Sequence, residues 1–135
     1  MTVIKTTALA LLALLLSATA AAGHHEKGEG PMLAAKPGQI MIVYYWPCAD
    51  ADKGLSLLKE MIAYERDASP HPYSAAPAIH SDGAVVSVDV HSSAESMEKA
   101  VAWQGEDAKW QAQFAEMEAA CGSADDLSTN VLTMQ

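Results

Sequence analysis

The stretch Tyr73-Ser-Ala-Ala-Pro-Ala-Ile-His80, Ser81-Asp82-Gly83, Ala84-Val-Val-Ser-Val-Asp-Val-His91 decides the fold. Asp-Gly between two extended segments is a hairpin signal, because this pair tolerates the positive φ that a tight turn demands. The second segment alternates without a break. Val86, Val88 and Val90 fall on one face, and Val85, Ser87, Asp89 and His91 on the other. Pro77 cannot donate to a ladder, so the first segment belongs at a sheet edge or a bulge.

Upstream, Gln39 to Trp46 (Gln-Ile-Met-Ile-Val-Tyr-Tyr-Trp) is apolar, β-branched and aromatic almost throughout, and Pro47 closes it. A run without alternation suits a central strand buried on both faces. Asp50 then stands as N-cap of a helix reaching about Asp67. Leu55, Leu58 and Ile62 make its expected buried stripe, and Met61 and Glu65 repeat at helical spacing beside them. Two prolines in Ser69-Pro-His-Pro72 forbid continuation.

Downstream of the hairpin, Ser92 and Glu95 have capping-box spacing and open a helical region with Met97, Ala100, Val101 and Gln104 on one side. Gly105-Glu106-Asp107 interrupts it. Trp110, Phe114, Met117 and Cys121 resume the helical spacing until Gly122. Leu127 to Met134 alternates as a last strand.

The order is strand, helix, strand, strand, helix, strand: an α+β fold of the ferredoxin-like βαββαβ type with a four-stranded antiparallel sheet. Right-handed crossovers put the first and third strands in the middle.

Four stretches carry a resemblance to a known superfamily. They are the alternating strand Val85 to Val90, the capped helix at Ser92, the broken helix Trp103-Gln-Gly-Glu-Asp-Ala-Lys-Trp110-Gln-Ala, and the strand with Thr129-Asn130-Val131-Leu132. Together they resemble the dimeric α/β-barrel superfamily, with its NIPSNAP-like and antibiotic-biosynthesis-monooxygenase-like domains, over about residues 39–135. The resemblance implies a homodimer in which two sheets face each other to form a barrel with helices outside. Its members include haem-degrading and quinone-forming oxygenases as well as domains without assigned activity. The local motif of the haem-degrading members is absent at a matching position, so no catalytic residue is carried over.

In that topology Cys48 and Cys121 are expected near opposite ends of the domain, too far apart for a disulfide, which needs Cα atoms within about 7 Å. Two thiols, or a bridge to another chain, are the expectation.

Working outward to the ends, Met1-Thr-Val-Ile-Lys5 and the leucine- and alanine-rich run to Ala18 read as a signal peptide over residues 1–22. Small residues at Ala18 to Gly23 provide cleavage sites after Ala20 or Ala22. Residues 23–38, rich in Gly, Pro and charge, read as a flexible leader, and 39–135 as the domain. A periplasmic or secreted location follows. The formal charge of −9 becomes −10 when Lys5 leaves with the signal. An acidic surface without a lysine cluster excludes nucleic acid and membrane-surface partners.

Few residues point to chemistry. Asp89 beside His91 could hold an imidazole tautomer for a general base, and His80 beside the turn is a further candidate. Tyr44, Trp46 and Trp103, with Ser87 nearby, are candidates to bind a flat, small apolar or aromatic ligand. That polar set is unusual for a surface expected to face the barrel. His71 and the other histidines lack zinc-site spacing, and no cofactor motif occurs. Cleavage after Ala22 or Ala21 would put a histidine third in the chain, so His24 or His25 could bind copper through the free amine and amide nitrogens. The leading expectation is an exported homodimeric small-ligand-binding or interaction module. The alternatives are a small monooxygenase-like enzyme acting on a quinone-like or haem-like substrate, and N-terminal copper binding.

Overall fold

The computed structural model describes residues 35–135. The signal segment, most of the leader, and His24 and His25 lie outside the described residues.

Strand β1 (Ile40–Trp46) leads to helix α1 (Ala51–Ala68), capped by the Asp50 carboxylate, which accepts from the Lys53 amide at 3.0 Å. Strands β2 (Ser74–Ile79) and β3 (Val85–His91) form the hairpin, with Gly83 at φ 93° in its turn. The second helical region is two helices, α2 (Ala94–Glu106) and α3 (Ala108–Cys121), followed by a 3₁₀ turn at Ala124–Asp126 and strand β4 (Ser128–Thr133). Asp107 both ends α2 and caps α3, accepting from the Trp110 amide at 2.8 Å. The cap of α2 is Ser93, whose hydroxyl accepts from Ser96, one residue beyond the expected Ser92.

The sheet is antiparallel with order β2-β3-β1-β4, so β1 is central and Pro77 lies in an edge strand, as expected. Register fixes the two faces. Ile40, Ile42, Tyr44 and Trp46 stand opposite His91, Asp89, Ser87 and Val85, all on the side covered by helices. Met41, Val43 and Tyr45 stand opposite Val90, Val88 and Val86 on the side that no helix covers. The polar set of β3 therefore faces the helix layer, not the barrel face expected for it. The valines take the uncovered side.

On α1 the buried stripe is Gly54, Leu58, Met61 and Glu65, spaced four, three and four. Of the expected stripe only Leu58 is fully buried; Leu55 and Ile62 are half-buried. Trp46, Leu58, Met61, Val85, Met117 and Cys121 form the core between sheet and helices.

Cys48 and Cys121 are joined in a disulfide, contrary to the expectation of free thiols. The reason lies in the topology. Because β4 is antiparallel to β1, its first residue, Ser128, pairs with Tyr45 near the end of β1. Cys121 precedes Ser128 by only a short turn, so α3 must finish beside the segment that follows β1. Gly54 makes room for the bridge: a Cβ there would run into the Cys48 sulfur and lie 2.9 Å from that of Cys121. No helix among the described residues is long and apolar enough to cross a membrane.

Candidate functional site

A cavity of about 80 Å³ lies between the helix-facing side of β1 and β3 and the inner faces of α1, α2 and α3. From the sheet come Tyr44 and Trp46 of β1 and Ser87 and Asp89 of β3. They share one side because each is two residues from the next along its strand. From α1 come Leu58, Met61, Ile62 and Glu65; from α2, Gln104; from α3, Trp110 and Phe114. The break at Asp107 lets α2 and α3 present Gln104 and Trp110 to the same carboxylate.

That carboxylate is Glu65, 8% exposed. Its Oε1 accepts from the Trp110 indole N–H at 2.5 Å and from Gln104 Nε2 at 3.2 Å. Gln104 Nε2 also donates to the Tyr73 hydroxyl at 2.9 Å. A buried carboxylate without donors would cost several kcal/mol, and these partners offset part of that cost. The Tyr73 ring stacks on His91 with centroids 4.5 Å apart. Burial first, then the Glu65 charge, hold the Tyr73 phenol above its ordinary range.

Asp89, 7% exposed, accepts a short hydrogen bond from the Ser87 hydroxyl, the sole side-chain donor to it among the described residues. Burial pushes its carboxyl up to about 7, against the lowering effect of the Ser87 hydroxyl; the Glu65 charge raises it further. Tyr44 is raised to about 12, chiefly by burial and then by the charges of Asp89 and Glu65. A carboxyl titrating near neutrality inside an aromatic cavity can bind a donor when charged, or exchange a proton with a bound molecule.

The sequence candidates divide cleanly. Tyr44, Trp46, Ser87 and Asp89 meet at the cavity. His91 is buried beside it, stacked on Tyr73, its Nδ1 without a partner and its pKa lowered by burial. His80 does not converge with it: it sits exposed on the hairpin, 2.8 Å from Asp82 and edge-on to Tyr45. Trp103 packs against Tyr64, centroids 6.2 Å apart, and does not line the cavity. Glu65, Tyr73, Gln104 and Trp110 were not singled out as site residues. The 4-3-4 spacing that ends on Glu65 and the helical spacing of Trp110 were the available signals. Among the described residues no group of three His, Cys, Asp or Glu is placed to hold a metal.

No protein-family model matches the chain, and no curated protein matches it by sequence. Solved structures match at the level of fold. SnoaB, a cofactor-independent oxygenase from Streptomyces nogalater, superposes with a TM-score of 0.52 at 11% identity, over 73% of this chain and 94% of that one. A NIPSNAP family protein from Agrobacterium tumefaciens gives 0.55 at 16% identity, over 70% and 90%. A putative antibiotic biosynthesis monooxygenase from Caulobacter crescentus gives 0.54 at 16% identity, over 73% and 92%.

Proposed function

We propose that this chain, built on the ferredoxin-like fold of the dimeric α/β-barrel superfamily, is an exported homodimeric module that holds a small, largely apolar ligand between its sheet and its helices. The observation that carries this reading is the cavity itself: four aromatic side chains and two buried carboxyls around about 80 Å³ of space. Packed interiors leave few voids larger than a water molecule, so a lined space of this size and polarity is a site in waiting. An engineered cavity of roughly 150 Å³ admits benzene, so this one takes a small group or one end of a larger molecule. A haem is far too large for it.

Two further features support the rest of the reading. The Cys48–Cys121 disulfide belongs to an oxidising compartment, which agrees with export. The uncovered sheet face carries Met41, Val43, Val88, Val90 and a 49% exposed Leu132, an apolar surface suited to a second copy. Native mass spectrometry on protein purified from its own host tests the reading as a whole. The expected result is a dimer, processed after residues 20–22, with an additional mass that denaturation releases. A bare monomer would overturn it.

A second reading, a small monooxygenase-like enzyme acting on a quinone-like substrate, is favoured by one observation: a carboxyl pushed up to about 7 at the wall of the cavity. In that reading Asp89, and neither His80 nor His91, takes the proton from a bound acidic O–H or C–H. Oxygen uptake with a dihydroxyaromatic probe would be abolished in Asp89→Asn and preserved in His80→Ala.

A further inference from the structure

We propose that the cavity is a receptor for the head of a small organic cation, an alkylammonium group that Asp89 and Glu65 neutralise and the rings of Trp46, Trp110 and Phe114 enclose. The inference rests on the reading of this cavity as a ligand site and names the charge of what enters it.

The lining contains two acids and no lysine, arginine or histidine. Both acids are more than nine-tenths buried, and among the described residues neither forms an ion pair. A neutral apolar guest would displace water from two buried carboxyl groups and return neither a hydrogen bond nor a charge to them. An anion would add a third negative charge in a low-dielectric space. A cation reverses both penalties.

The hydrogen bonds at the two acids point the same way, while the buried Trp46 indole N–H in the same lining has no acceptor among the described residues. Glu65 is held on one oxygen by Trp110 and Gln104. Asp89 accepts from Ser87 on Oδ1, and its Oδ2 has no partner among the described residues. An unpaired oxygen of a nine-tenths buried side chain in the cavity wall is an acceptor awaiting a donor or a positive charge. Around it stand the aromatic rings. Trp110 and Phe114 stack with centroids 4.9 Å apart, and Phe114 meets Trp46 edge-on at 5.7 Å. Aromatic faces carry negative quadrupole density and attract a desolvated cation.

Size and direction agree. About 80 Å³ accommodates an ammonium head with its methyl substituents. Leu127 borders the cavity on the side of β4, where Thr129 and Val131 share the helix-facing side of the sheet yet are exposed, Val131 to 58%. An apolar tail leaving the cavity has that strip to lie on. The chain's formal charge of −9 raises the local concentration of cations at its surface.

Asp89 also gives the site a pH response. Its carboxyl is raised by burial and faces Glu65, Ser87, Tyr44 and, beyond Gln104, Tyr73, with the buried His91 two residues along on the same side of β3. A bound cation favours the carboxylate, so it expels a proton and binds better as pH rises from 6 to 8.

The test uses three molecules of nearly equal shape on the full chain: choline, the neutral 3,3-dimethylbutan-1-ol, and 3,3-dimethylbutanoate. Quenching of Trp46 and Trp110 fluorescence and isothermal calorimetry give the affinities. The expected order is choline over the alcohol by about tenfold or more, with the anion weakest. Asp89→Asn should remove most of that preference by weakening choline far more than the alcohol. Equal binding of choline and the alcohol, with both lost in Trp110→Ala, would overturn the charge inference and leave the cavity a ligand site. Failure of all three to bind, with no ligand retained by protein from its host, would overturn both.

Discussion

Replacing Asp89 with asparagine should make the protein more stable at alkaline pH and leave it nearly unchanged at acid pH. The folded carboxyl is pushed from 3.8 to about 7, chiefly because burial penalises its charged form. Between those values the folded state keeps a proton that the unfolded chain has released. Stability therefore falls as pH rises through this window, by about 1.4 kcal/mol per pH unit. Over roughly three units the cost reaches ~4 kcal/mol, and above pH 7 it is fully present. Asparagine carries no such proton, and its side-chain oxygen can still accept from the Ser87 hydroxyl. The difference between the variant and the native protein should thus be small at pH 4 and grow to a few kcal/mol at pH 8 to 9. Other titrating groups largely cancel in that difference. Urea unfolding followed by tryptophan fluorescence at pH 4, 6, 7 and 9 measures it. A variant less stable than the native protein by the same amount at every pH would refute the reasoning, since the carboxyl would then titrate alike in the folded and unfolded chain.

Two other changes probe the surroundings of the site. Trp110→Phe keeps the ring but removes the indole N–H that reaches Glu65 at 2.5 Å. Losing a donor to a buried carboxylate should cost about 2 kcal/mol in the same urea assay, with most of it recovered in Trp110→Phe/Glu65→Gln. The Cys48–Cys121 bridge closes a sequence separation of 73 residues, so Cys48→Ser/Cys121→Ser should lose up to ~4 kcal/mol by chain entropy. Gly54→Ala, which drives a methyl group into both sulfurs, should yield titratable thiol in unreduced protein where the native chain yields none.

Much of this architecture was legible because local signals agreed with one another. Pro77 marked an edge strand, Asp-Gly marked the hairpin turn, and Gly105-Glu-Asp107 marked the break between α2 and α3. The site was half legible. Ser87 and Asp89 attracted notice because polar residues alternated inside a valine-rich strand, and Tyr44 and Trp46 because aromatics crowded one place. Glu65 escaped because a glutamate beside Glu60 and Arg66 reads as part of a solvated helix face. Only the packing of α2 and α3 shows that the 4-3-4 spacing from Gly54 points it inward. His80 and Trp103 lie away from the cavity for the converse reason: their chemistry was suggestive, but the hairpin carries His80 into solvent and Trp103 packs on Tyr64 of α1. The disulfide was derivable without coordinates. Antiparallel pairing of β4 with β1 already obliges the chain before β4 to start beside the end of β1.

The faces of β3 tie the site to the proposed dimer. A strand shifted by one residue against β1 would put Val86, Val88 and Val90 under the helices and turn Ser87, Asp89 and His91 outward, which for an isolated domain is the better distribution of polarity. The observed register, Ile42 opposite Asp89 and Val43 opposite Val88, does the reverse. Three polar side chains lie buried and two of the valines only half-covered. Burying Asp89 carries the pH-dependent cost worked out above, and leaving an apolar sheet face bare forgoes the gain from covering it. Both become favourable together when a cation occupies the cavity on one side and a second sheet covers the valines on the other. On this reading, ligand binding and dimerisation stabilise the same register from opposite faces. Val88→Asp, by opposing the second sheet, should then yield a monomer by analytical ultracentrifugation with a lowered melting temperature. A variant that stays dimeric would show that the valine face is not the surface through which two copies meet.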